Sequence, residues 1–132
     1  MSNAKLSFRI ELPNGSRLGP GKVALLESIG VRRSIAAAAR DHEMSYRRAW
    51  LLIDDLNRAF SEPVVETFPG RSQGAGAALT PFGTRLVALF RATERRCLKA
   101  AGPSIREIAE ASSPEYAAGE LTRGGRKSGA RA

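Results

Sequence analysis

Hydrophobic positions along the chain change period several times, and each change marks an element. Leu6, Phe8, Ile10 and Leu12 alternate with Lys5, Ser7, Arg9 and Glu11, a period of two that predicts a strand with one buried face. Pro13-Asn14-Gly15-Ser16 is a turn signal, with a short second strand near Arg17–Leu18. Pro20 suits the first turn of a helix reaching about Ile29, with Val23, Leu26 and Ile29 inward and Gly30 ending it. Ser34 caps an alanine-rich helix over Ile35–Arg40, and Asp41, His42 and Glu43 interrupt the apolar pattern. Ser45 caps a longer helix in which Ala49, Ile53, Leu56 and Phe60 recur at steps of four, three and four.

After Pro63 the period shortens again. Val64–Phe68 is β-branched and aromatic, which predicts a strand. Residues 69–78 are glycine-rich and polar, a loop carrying Arg71, Ser72 and Gln73, and Ala77–Leu79 returns as a further strand. Thr80-Pro81 opens a last helix, Thr80–Ala101, with Phe82, Leu86, Leu89, Thr93 and Cys97 on one face and Phe90 beside it. That stripe exceeds what a small core needs, so part of it packs on the first helix or meets a second subunit. Gly102-Pro103 predicts a break, with a short helix over Ser104–Ala111 after it. The expected fold class is mainly α with a small β-sheet. Residues 5–111 form the domain, and 112–132 form a basic tail too poor in apolar residues to pack.

Charge narrows the partners. The chain carries 21 Lys and Arg against 13 Asp and Glu, a formal +8, and its pI is about 10.8. The excess is spread along it: residues 1–60 hold 10 cations against 6 anions, 61–112 hold 7 against 5, and 113–132 hold 4 against 2. Such a balance favours a polyanion, because neutralising phosphates releases condensed counterions. A basic surface kept for solubility is the plain alternative. The single Cys97 excludes an internal disulfide and suits a reducing cytoplasm. No apolar run approaches the about 20 residues of a membrane span, so no membrane partner is expected. With one histidine, no Ser/His/Asp or Cys/His arrangement is credible; no cofactor or metal is expected, and the chain does not read as an enzyme. The glycine-rich loop lacks the GxxxxGK[ST] and GxGxxG spacings of a nucleotide cradle.

Two capped helices joined by a tight turn, the second opening with two hydroxyls and two cations, have the anatomy of a helix-turn-helix. A strand, a flexible basic loop and a returning strand after it make a winged helix, whose wing lies along phosphates or reaches the minor groove. Two packed helices in any small α-domain are the alternative. Together these elements resemble a known family. LGPGKVALLESIG, MSYRRAW, the VET strand before the wing and LTPFG at the last helix resemble the N-terminal DNA-binding domain of ModE, a molybdate-dependent bacterial regulator. The winged helix of LysR-type regulators is more distantly similar. The resemblance covers roughly residues 18–96. It implies operator DNA as ligand and a homodimer formed through the first helix and the long helix after the wing. ModE proper continues into molybdate-binding domains, so the chain is expected to be a stand-alone form without them.

Ser45, Tyr46, Arg47 and Arg48 are therefore the candidates for the major groove, where arginine can bond guanine O6 and N7 in a bidentate pair. Trp50 follows them, to contact the DNA backbone or, the commoner fate of a lone tryptophan, to pack against the wing. Arg71, Ser72 and Gln73 on the wing are candidates for phosphate or minor-groove contact, and Arg32 and Arg33 before the motif for flanking phosphates, with plain surface charge as the alternative. The expected function is an inverted-repeat-binding transcriptional regulator. A winged-helix protein-interaction module and a molybdate-responsive regulator are the other readings.

Overall fold

The computed structural model describes residues 4–71 and 74–117, and between 70 and 75 only the backbone. They fall into two compact units, Leu6–Ala100 and the described residues outside that range. The larger unit is a winged helix-turn-helix in the order β1 (Ile10–Glu11), β2 (Arg17–Leu18), α1 (Pro20–Arg32), α2 (Ile35–Asp41), α3 (Tyr46–Ala59), β3 (Val65–Arg71), β4 (Gly74–Leu79) and α4, which begins at Pro81. Two separate two-stranded antiparallel sheets, β1–β2 and β3–β4, flank the helices.

The three first helices form where apolar spacing and hydroxyl caps place them. Ser34 Oγ accepts the Ala37 amide at 3.1 Å, and Ser45 Oγ accepts the Arg48 amide at 3.0 Å, so each cap satisfies an otherwise unpaired donor. Val23, Leu25, Leu26 and Ile29 of α1, Ala38 and Ala39 of α2, and Ala49, Ile53 and Leu56 of α3 meet in one core with Val64, Val65, Leu86 and Phe90. The alanines let α2 lie close to its neighbours. His42 shares a 2.8 Å hydrogen bond with Ser28, and Arg32 pairs with Asp41 at 3.1 Å, tying the end of α2 to the last turns of α1.

Four boundaries differ from the pattern-based expectation. The N-terminal strand pairs only at Ile10–Glu11, with Ile10 opposite Leu18 and Glu11 opposite Arg17. Phe8, Ile10 and Leu12 still turn inward, but β2 is two residues long and offers no more ladder. Helix α1 passes through Gly30 and ends at Arg32, capped by Arg33 in the left-handed region at φ 58°. Gly30 serves packing instead of capping: a Cβ there would sit 3.2 Å from Leu79 Cδ1. The expected wing loop, 69–78, is largely strand, with Val65 opposite Leu79, Phe68 opposite Gly76 and Arg71 opposite Gly74. Finally, α4 runs from Pro81 to Glu110 and includes Pro103. That proline removes the donor for the Lys99 carbonyl, and both residues lie on an exposed side where water can replace it.

Within α4 the buried positions are Gly83, Leu86 and Phe90, with Phe82 partly buried; Leu89 is exposed, and Cys97 is partly covered and free. Gly83 cannot be any other residue without movement, since its Cβ would lie 2.2 Å from the Val64 carbonyl oxygen. Thr80 makes the same junction with its hydroxyl, donating to the Pro63 carbonyl at 2.8 Å and accepting from the Gly83 amide at 2.8 Å. The Phe60–Phe82 and Phe8–Phe90 rings pack at 5.5 and 5.3 Å. In the smaller unit α4 continues to Glu110 and a turn follows at Ala111–Ser112. Of the expected 112–132 tail, everything beyond residue 117 lies outside the described residues.

Candidate nucleic-acid interface

Helix α3 buries one side and leaves the other open. Ala49, Ile53 and Leu56 face the core, so the positions about 100° around the helix face out. Tyr46 is 52% exposed, Trp50 44% and Leu51 45%; Ser45, Arg47 and Arg48 are also exposed. All five candidate residues at the start of α3 thus lie on the surface, and Trp50 is not packed away. Leu51 is an addition that the sequence pattern did not single out, because nothing local distinguishes it from the partly buried Leu52 beside it.

The cations here are unneutralised. Arg47 and Arg48 make no ion pair among the described residues, and the same holds for exposed Arg33 and Arg40 at the ends of α1 and α2. Arg32, grouped with Arg33 in the sequence reading, is instead occupied by Asp41. Arg47 and Arg48 border a recess of about 290 Å³ with Ser45, Leu51, Leu52 and Asp55. A larger groove of about 710 Å³ lies at the opposite end of α3, where it is lined by Arg9, Arg17, Lys22, Asp55 and Arg58. Its cations are mostly answered: Arg9 by Glu11 at 3.6 Å, Lys22 by Asp55 at 3.5 Å, and Arg58 by Asp54 at 3.1 Å.

The wing is tied to α3 by a residue that periodicity does not reveal. Asn57 Oδ1 accepts the amides of Val64 at 2.7 Å and Val65 at 3.0 Å, and its Nδ2 donates to the Val65 carbonyl at 3.1 Å. One side chain therefore sets where β3 leaves the helix. The Ala77 amide donates to the Arg33 carbonyl at 3.2 Å, which ties β4 to the end of α1. Of the wing candidates, Arg71 ends β3 with its side chain outside the description, and Ser72 and Gln73 lie outside the described residues.

Behind the interface, Arg91 of α4 grips Glu27 of α1 with two hydrogen bonds, at 2.8 and 3.0 Å, and Glu94 at 2.7 Å. The hydrogen bond from Arg91 holds the Glu27 carboxyl below its ordinary value, outweighing partial burial, which acts the other way; the Arg91 charge adds to the lowering. The same bonds push the Arg91 guanidinium further up. Among the described residues, no group of three or more His, Cys, Asp or Glu side chains could hold a metal. Nor is any described helix long and apolar enough to cross a membrane.

No family model matches the chain. Individual relatives do. It is 45% identical over 80 residues to the molybdenum-pterin-binding protein MopB of Rhodobacter capsulatus, covering 61% of this chain and 30% of that protein. It is 41% identical over 80 residues to the molybdenum transport protein ModE of Azotobacter vinelandii, again over 61% and 30%. The transcriptional regulator ModE of Haemophilus influenzae is 33% identical over 95 residues, 72% of this chain and 37% of that one. A CbnR_DBD–DNA complex superposes with a TM-score of 0.47 at 22% identity, over 70% of this chain and 97% of that one, too loosely to carry weight. The chain thus spans about a third of the length of the curated relatives it matches, and it is similar to the ModE and Mop proteins over that shared segment.

Proposed function

We propose that this chain binds double-stranded DNA through the first half of α3 and acts as a transcriptional regulator in a bacterial cytoplasm. The observation that carries the reading is the set of four arginines, Arg33, Arg40, Arg47 and Arg48, exposed around a helix-turn-helix and answered by no acid among the described residues. Left unpaired, they keep the charge that phosphates and guanine edges attract. The relatives named as transcriptional regulators point the same way. Arg47 and Arg48 read bases, Ser45 and Tyr46 reach a phosphate or base, and Arg33 meets a flanking phosphate. No catalytic step belongs to this role.

The binding region is residues 5–111, and the basic residues after 112 add nonspecific attraction. The active form is a homodimer that uses α1 and α4. Leu89 and Leu98, each 49% exposed on α4, are apolar positions a second copy would cover. Two recognition helices about 34 Å apart then require an inverted repeat. On the wing, Arg71, Ser72 and Gln73 contact phosphates or the minor groove, and Arg71→Ala lowers the salt slope of binding by about 0.9.

Selection of duplexes from a randomised pool, with light scattering on the protein alone, tests this reading. An enriched inverted repeat and a mass twice the 14.2 kDa chain support it. A pool that enriches nothing, while an acidic protein partner is captured through the same face, would replace it with the protein-interaction reading.

A further inference from the structure

The outer face of α3 carries more apolar surface than phosphate contact requires. Tyr46, Trp50 and Leu51 are each about half exposed, while the helix already fills the core with Ala49, Ile53 and Leu56. On a helix, residues three and four apart are neighbours, so Trp50 adjoins Tyr46 and Arg47, and Leu51 adjoins Arg47 and Arg48. Leu51 shares a recess with both arginines. Asp54, next along the same face, is held by Arg58 at 3.1 Å and adds no free negative charge. The patch is therefore apolar at its centre and cationic at its rim.

A partner complementary to that patch must be anionic around an apolar point. Duplex DNA offers such a point in the major groove, the C5 methyl of thymine, flanked on both sides by phosphates. We infer that Leu51, with Trp50, reads thymine methyl groups, which makes these two residues specificity determinants beside the arginines. This inference rests on the DNA-binding reading given above and goes beyond it by naming what the apolar face selects. Arg47 lies one helical turn before Leu51, so the pair it reads and the thymine are within a base step or two of each other. The site then contains a guanine within two base pairs of an A·T pair, with the methyl oriented toward α3. Burying one methyl against Leu51 strengthens binding about fourfold.

Deoxyuridine substitution isolates this contact, because it deletes the methyl and leaves the hydrogen-bonding edges unchanged. The probe is a duplex selected by the unaltered full chain from a randomised pool, with each thymine replaced in turn and affinity read by fluorescence anisotropy. The expected result is a loss of about fourfold at one or two positions and none elsewhere. Leu51→Ala, at an exposed position that leaves the core intact, should make the sensitive position indifferent to the methyl. Uniform affinity across all deoxyuridine duplexes overturns the inference and leaves DNA binding standing. So does a Leu51→Ala, Trp50→Ala double variant that keeps full methyl sensitivity. Failure to bind any duplex at low salt overturns both readings together.

Discussion

The two halves of α3 use the same residue types for opposite purposes. In the first half Arg47 and Arg48 have no ion pair among the described residues, and Trp50 and Leu51 stay exposed. In the second half Asp54 and Asp55 are joined to Arg58 and Lys22, Asn57 binds three backbone groups of Val64 and Val65, and the Ala59 carbonyl accepts from Asn14 at 2.9 Å. Every polar side chain in that half has a partner in the fold. Function is therefore sought where the fold leaves charge and apolar surface unanswered, and stability where it answers them.

That contrast can be broken from the structural side first. Gly83→Ala places a methyl inside contact distance of the Val64 carbonyl and must push α4 away from β3. A loss of about 3 kcal/mol is expected from urea unfolding. If stability holds, the junction is looser than its geometry implies. Asn57→Ala is next, because it strands the amides of Val64 and Val65, both buried, at a cost of about 2 kcal/mol. It also frees the wing from α3, so affinity for DNA should fall beyond what the stability loss explains.

In the other half the expectation reverses. Arg47→Ala should leave unfolding within about 0.5 kcal/mol of the parent, while discrimination at one base pair drops by about 1–3 kcal/mol. Equal weakening on selected and random duplexes would reassign Arg47 to a phosphate. The smallest effect sharpens the scaffold side through pH. The Glu27 carboxyl titrates below its ordinary 4.5 in the folded protein, so its pairing stabilises above that value and is lost as pH falls through the lower folded value. Glu27 is partly exposed, so the expected difference between Glu27→Gln and the parent is under about 1 kcal/mol near pH 7. It should vanish by acid titration to below the folded value; a difference that persists there would assign it to packing.

How much of this was legible beforehand follows from how local each signal is. The caps at Ser34 and Ser45 and the three-and-four spacing of Ala49, Ile53 and Leu56 are written within one turn of sequence, and the helix-turn-helix follows from them. The exposure of Ser45, Tyr46, Arg47, Arg48 and Trp50 at the start of α3 follows for the same reason. Cross-strand partners are not local, which is why the glycine-rich 69–78 segment read as loop although it pairs from Val65–Leu79 to Arg71–Gly74. Pro103 within α4 signals a stop in sequence because a proline breaks the ladder at one carbonyl, whereas solvent at an exposed carbonyl permits continuation. Asn57 and Leu51 needed tertiary information: one looks like any polar helix residue, and the other like a core leucine. Arg32 and Arg33 are adjacent in sequence, yet only the position of Asp41 decides which is free.

The central claim is that the unpaired arginines around α3 form a phosphate- and base-contacting surface. Anisotropy titration of the protein against random duplex DNA across a salt series addresses it most directly. Phosphate contacts from Arg33, Arg40 and the wing's Arg71 predict tight binding at low salt and a fall of log K against log salt with a slope of about −3 per protomer. Binding that ignores salt, or no binding at low salt, would contradict the account.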